Sequence, residues 1–215
     1  MAERTGEIKK KRIIVGAAGA SGSPLLLSCL RLIREAEEYE SWLVMSNSAR
    51  LTMEEETGVP ASEAEKLADH VLGPGEIGAG PASGSFQTAG MLIVPCSMKT
   101  VAGICSGYAD NLILRAADVT IKEQRTLVLA ARETPLSVIH LRNLNTLAGI
   151  PGVRIIPPMM TFYNHPETIE DMTYHIAAKL LEPFGIEAAE YKRWNGLAKG
   201  EWGRENILRY DGEKK

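Results

Sequence analysis

Five short apolar runs recur along the chain, Arg12–Val15, Trp42–Met45, Met91–Pro95, Thr126–Ala130 and Val153–Ile156, each closed by glycine, proline or polar residues. Runs of this length without polar alternation are the pattern of strands covered on both faces. Between them the apolar residues switch to helical spacing: Leu26, Cys29, Leu30 and Ile33 form one stripe, and Ile169, Met172, Ile176 and Leu180 another. Strand and amphipathic helix in alternation leave few options, because parallel strands need crossover helices and those helices must cover the sheet. The expected fold class is α/β, a single domain with a doubly wound, mostly parallel sheet. A chain of 215 residues with 45% hydrophobic content can bury one such core. Residues 11–197 are expected to form it. Residues 1–10 and 198–215 are charged and poor in apolar groups, which suggests a mobile N-terminal segment and a polar C-terminal tail.

Several function classes drop out early. A net charge of -3, from 24 basic and 27 acidic residues, gives no electrostatic reason to expect nucleic acid. The uncharged run Ile13–Leu30 follows Lys9-Lys10-Lys11-Arg12 and superficially resembles a signal peptide or membrane span. Gly16, Gly19, Gly22 and Pro24 interrupt it, so strand, turn and amphipathic helix is the better reading, with no membrane partner. Cys29, Cys96 and Cys105 are odd in number and never C-x-x-C, pointing to reduced thiols and a cytoplasmic location. His70, His140, His165 and His175 lack metal-binding spacing, so no metal is expected and the histidines read as structural. No G-x-S-x-G elbow marks an ordinary hydrolase.

In doubly wound sheets ligands lie beyond the carboxyl ends of the strands. After the first strand comes Gly16-x-x-Gly19-x-x-Gly22, then Ser23-Pro24 opening a helix, which aims backbone N–H groups and a helix dipole at an anion. Read alone, the turn equally suits a ligand-free connection. The second strand ends in Val44-Met45-Ser46, a serine where dinucleotide folds commonly place a ribose-reading carboxylate, which favours a mononucleotide or another phosphate. The third is followed by Pro95-Cys96-Ser97-Met98-Lys99-Thr100, rich in hydroxyls and donors, although by itself a helix N-cap would explain it. Arg132-Glu133 follows the Thr126–Ala130 run, offering an arginine fork and a carboxylate able to exchange a proton. Arg115 and Lys122 share a helix face, with Asp118 and Glu123 as available partners. The residues themselves lead to an α/β protein that binds a phosphorylated ligand.

Taken in order, Gly19-Ala-Ser21-Gly22, Val44-Met-Ser46, Pro81-Ala-Ser-Gly-Ser85, Pro95-Cys-Ser-Met-Lys-Thr100, Arg115-Ala-Ala-Asp118, Lys122-Glu123, Arg132-Glu-Thr-Pro135, Phe162-Tyr163 and Arg193-Trp194 resemble the UbiX-like flavin prenyltransferases, formerly labelled aromatic or phenylacrylic acid decarboxylases. The resemblance spans Arg12 to Leu197 and implies a Rossmann-like flavoprotein. It implies that reduced FMN is alkylated by dimethylallyl phosphate at N5 and closed at C6, giving prenylated FMN for a partner decarboxylase, without a metal. By the same motifs, Gly19, Ala20, Ser21, Ser46, Ser97, Met98, Lys99, Thr100 and Arg132 would bind FMN. Tyr163 and Lys179 would grip the prenyl phosphate with Lys122, Arg132 and Glu133, Trp194 would serve as a lid, and Ser21, Glu56 and Glu133 would carry the proton chemistry. For Glu56 the competing reading is a solvated member of the acidic run Glu54-Glu55-Glu56.

The resemblance also implies a homododecamer with sites between subunits. Two departures stand out: Lys179 replaces the arginine of many relatives, keeping the charge without the bidentate fork, and the loop Ala148–Gly152 is slightly long. The rival readings are an FMN-dependent cysteine decarboxylase, of which Pro157-Pro158-Met159-Met160 is a partial echo, and an FMN carrier or accessory subunit of a decarboxylase.

Overall fold

The computed structural model describes residues 10–196. Six strands, β1 (Lys11–Ala17), β2 (Tyr39–Met45), β3 (His70–Leu72), β4 (Gly90–Cys96), β5 (Thr126–Ala131) and β6 (Val153–Ile155), form one sheet in the order β3-β2-β1-β4-β5-β6. Every pair is parallel. Strand polarity explains the long apolar runs: Ile13, Val15, Leu92, Val94, Val128 and Ala130 face one core, and Ile14, Met91, Ile93, Leu127 and Leu129 the other. Helices α1 (Ser23–Glu35), α2 (Asn47–Thr57), α3 (Ser62–Leu67) and α7 (Ile169–Leu181) cover the first face. Helices α4 (Met98–Ser106), α5 (Leu112–Lys122) and α6 (Val138–Ala148) cover the second.

Leu26, Cys29, Leu30 and Ile33 are buried, as their spacing requires. The stripe assigned to α7 is corrected. Ile169 is 80% exposed, Met172 and Ile176 are half-buried, and the covered side carries His175, Ala177, Ala178, Leu180 and Leu181. Two adjacent alanines turn that side toward α1, where small side chains allow close approach. β6 is likewise only partly covered, because it ends the sheet. β3 was not expected from the sequence, since three residues headed by a histidine carry no apolar run. It exists through its pairing with β2, where His70 stacks on Trp42 with ring centroids 4.0 Å apart. No helix among the described residues is long and apolar enough to cross a membrane.

Chain order reverses between β1 and β4, which puts a crevice at the carboxyl ends of these two strands.

Candidate active site

Three chain segments meet at that crevice. β1 runs into the turn Ala18–Gly22, tied to its neighbours by Ala18 N–H to the Pro95 carbonyl and by Ser46 N–H to the Ala17 carbonyl, each 3.0 Å. β2 ends on Ser46, which N-caps α2 by accepting the Ala49 N–H at 3.1 Å. β4 ends on Ser97, which N-caps α4 by accepting the Thr100 N–H at 3.3 Å and lies 3.1 Å from the Thr100 hydroxyl. The start of each helix thus faces a common cavity of about 190 Å³, lined among others by Gly19, Ser46, Ser48, Ser97, Lys99 and Thr100. Two helix N-termini, four hydroxyls and one ammonium in one small space make an anion cradle.

Gly19 is required by that closeness. A Cβ there would stand 2.4 Å from the Ser48 Cβ, so only glycine lets the turn lie against the first turn of α2. Gly22 meets a different demand, a backbone φ of 129° that L side chains rarely adopt.

The N-terminus of α1, expected to offer its N–H groups to a ligand, is already engaged. Glu56, at the far end of α2, accepts the Ser23 N–H at 2.8 Å and the Gly22 N–H at 3.0 Å. Partial burial pushes its pKa up, but the Ser21 hydroxyl and the backbone donors of Ser23 and Gly22 outweigh that, and the net shift is downward. Glu54, Glu55 and Glu56 are all exposed, as an acidic run should be, but the Glu56 carboxylate also folds back onto the turn. The anion at this helix start is the chain's own carboxylate, which leaves the starts of α2 and α4 for a phosphate.

Arg132 and Glu133 follow β5 at the same edge. Arg132 is anchored through its N–H to the Cys96 carbonyl at 3.1 Å, and no ion pair engages its guanidinium among the described residues. Glu133 accepts the Thr134 N–H at 3.0 Å. Met98 faces the second core at 7% exposure, so only its backbone can serve the cradle.

Tyr163 and Trp194 meet in a second cluster beside α7, to which Lys179 of that helix is linked through the effect of its charge on His175 and Tyr191. The Tyr163 and Trp194 rings meet edge-on with centroids 5.6 Å apart. Lys179 donates to Glu182 at 2.5 Å, and Arg193 pairs with the same carboxylate. The Glu182 bond is the main cause of a raised Lys179 pKa, so the ammonium stays charged. Lys179 also lines a separate cavity with Arg154 and Glu182. A guanidinium, Arg193, therefore stands beside the lysine whose fork the sequence lacks.

Lys122 is not brought to either cluster within one chain. It ends α5 just ahead of β5, at the amino edge of the sheet, paired with Glu123 over Gly84. Arg125 fastens the same loop through the carbonyls of Gly84 and Phe86, at 2.7 and 2.8 Å. An eleven-residue helix is about 16 Å long, which sets the distance from the carboxyl edge.

Sequence reasoning missed Ser48 in the cradle and His175, Tyr191 and Glu182 around Tyr163 and Lys179, and gave Arg193, quoted in the Arg193-Trp194 motif, no role. The i, i+4 spacing of His175 and Lys179 was the available signal for one of them. Among the described residues no group of three or more His, Cys, Asp and Glu could hold a metal.

The Flavoprotein family model matches residues 1–181. A probable UbiX-like flavin prenyltransferase of Escherichia coli O157:H7 is 50% identical over 186 residues, 86% of this chain and 94% of that protein. A dodecameric FMN-dependent UbiX-like decarboxylase from the same organism has a TM-score of 0.84 at 49% identity, covering 86% of this chain and all of that one. A UbiX structure in complex with FMN and dimethylallyl pyrophosphate has a TM-score of 0.85 at 43% identity, covering 88% and 100% of the two chains. The peptidyl-cysteine decarboxylase EpiD, at 16% identity and a TM-score of 0.52, shares the fold alone.

Proposed function

The chain belongs to the UbiX-like flavin prenyltransferases, within the Flavoprotein family, and from that premise we propose that it joins the dimethylallyl group of dimethylallyl phosphate to N5 and C6 of reduced FMN. The product, prenylated FMN, serves a downstream decarboxylase. The observation that carries the reading is the cradle: Gly19 without a Cβ, with Ser46 and Ser97 capping two helices that open onto one cavity. At about 190 Å³ it is smaller than the roughly 300 Å³ of a drug-sized pocket, so it would take the FMN phosphate and not the whole flavin.

Gly19, Ala20, Ser46, Ser97, Lys99, Thr100 and the Met98 backbone would hold that phosphate, and Ser21 and Arg132, outside the cavity's lining, would bind the rest of FMN. Bound reduced flavin supplies the nucleophilic N5 and C6. Tyr163 and Lys179, with Arg132 and Lys122, neutralise the charge that gathers on the departing prenyl phosphate, an effect strongest where water is excluded. Trp194 supplies an apolar, polarisable wall. Ser21 Oγ would relay the proton lost on ring closure to Glu56, taking one proton up as it gives one away; the lowered pKa of Glu56 makes it an orienting acceptor more than a strong base. Glu133 exchanges a proton with the phosphate.

Lys122 reaches a site only from a neighbouring protomer, in keeping with a homododecamer whose sites lie between subunits. Val138, Met159 and Phe162, 80%, 71% and 66% exposed, supply apolar surface for such assembly. A cytoplasmic setting fits the three free cysteines.

Anaerobic incubation with reduced FMN and dimethylallyl phosphate, followed by mass spectrometry of the flavin, tests the reading. A flavin gaining one dimethylallyl unit is expected, and an unmodified flavin rejects the assignment.

A further inference from the structure

His175 is 7% exposed and belongs to no ion pair among the described residues, yet its imidazole is central to the second cluster. Its Nε2 lies 3.4 Å from the Tyr163 hydroxyl oxygen, the rings nearly perpendicular at 80° with centroids 5.8 Å apart. Tyr191 backs the other side of the imidazole at 4.7 Å. The Trp194 ring also meets Tyr163 edge-on, so the phenol contacts two rings. Lys179 follows His175 by four residues along α7, close enough for its charge to act on the imidazole that Tyr163 also meets.

We propose that His175 is a positioning residue for Tyr163: the imidazole donates its Nε2–H to the phenolic oxygen, which leaves the Tyr163 proton free for the prenyl phosphate. The inference rests on the reading of Tyr163 and Lys179 as the phosphate grip. Burial, reinforced by the Lys179 charge, holds the His175 pKa below its usual value, so the ring is neutral and carries one N–H. The opposite tautomer would take the phenolic proton and present oxygen lone pairs to an anion, a repulsive arrangement. The present 3.4 Å is at the outer limit of a hydrogen bond, and such contacts tighten when the ligand arrives.

A positioning role of this kind acts on the bound substrate and the transition state alike, so it appears in KM more than in kcat. In His175→Phe, which keeps a ring against Tyr191 but loses the N–H, the KM for dimethylallyl phosphate should rise about tenfold, the worth of one hydrogen bond to a charged group. FMN affinity should be unchanged, because the cradle is a separate cluster, and His175→Gln should recover most of the loss. In a Tyr163→Phe background, His175→Phe should add nothing. An unchanged KM, a full additional loss in that background, or a parallel loss of FMN affinity overturns the inference. Imidazole ¹⁵N shifts of the wild-type protein decide the tautomer without any variant, and a proton on Nδ1 refutes it. Wild-type protein that leaves flavin unmodified defeats the functional reading itself, and the inference with it, before any variant is compared.

Discussion

Glu56 Oε2 accepts the backbone N–H of Ser23 at 2.8 Å, so the last turn of α2 closes the first turn of α1. A helix start that would otherwise attract a phosphate is neutralised from within the chain, and the cradle is displaced toward the starts of α2 and α4. Ser21 and Glu56 become neighbours by the same closure.

Glu56→Gln should lower stability at pH 7, since an amide accepts these N–H groups less strongly than a carboxylate; capping losses run to about 1 kcal/mol. The folded pKa lies below the ordinary 4.5, so the contribution is complete above that value and disappears as the pH falls through the lowered one. Melting curves of both proteins across the acid range should converge there. A stability gap that persists unchanged in acid contradicts the assignment.

Gly19→Ala places a methyl group 2.4 Å from the Ser48 Cβ and must push the turn away from α2. Overpacking of this kind costs about 1–3 kcal/mol, and FMN affinity should fall at least tenfold by flavin-fluorescence titration. Retention of full affinity would mean that the phosphate lies elsewhere.

Glu133→Gln should keep FMN binding and lose prenylation, by about 10²–10⁴-fold if the carboxylate works as a general acid or base. Equal loss of both, or of neither, would contradict that role, and loss of neither would leave a carrier function in contention.

Lys122→Ala and Glu133→Gln should each be nearly inactive alone. Mixed, dissociated and reassembled, the two variants should regain activity, because some sites then combine the intact Lys122 of one subunit with the intact Glu133 of another. No recovery in reassembled oligomers would place Lys122 outside the site.

Leu26→Ala should destabilise by about 2–5 kcal/mol through a cavity under α1, measured by denaturant unfolding, without altering how folded protein binds FMN.

Four strands, β1, β2, β4 and β5, were legible because burial on both faces leaves a near-continuous apolar run, and β6 was legible from its β-branched residues although it is only partly covered. β3 was not, since three residues paired at one edge need no such run, and Ile169 was misplaced because α7 packs through alanines that carry little periodic signal. In the site, Ser46 and Ser97 were legible because a residue that ends a strand and caps a helix is marked by position along the chain.

Local chemistry in the sequence determined the alternation of elements, the glycine turn and the two capping serines, all set by neighbours a few residues apart. Tertiary structure alone decided that Glu56, 34 residues from Gly22, occupies the start of α1, that His175 lies against Tyr163, and that Lys122 stands at the wrong end of its own chain's sheet. Those relationships depend on how helices lean across a folded sheet, and no spacing along the chain encodes that angle.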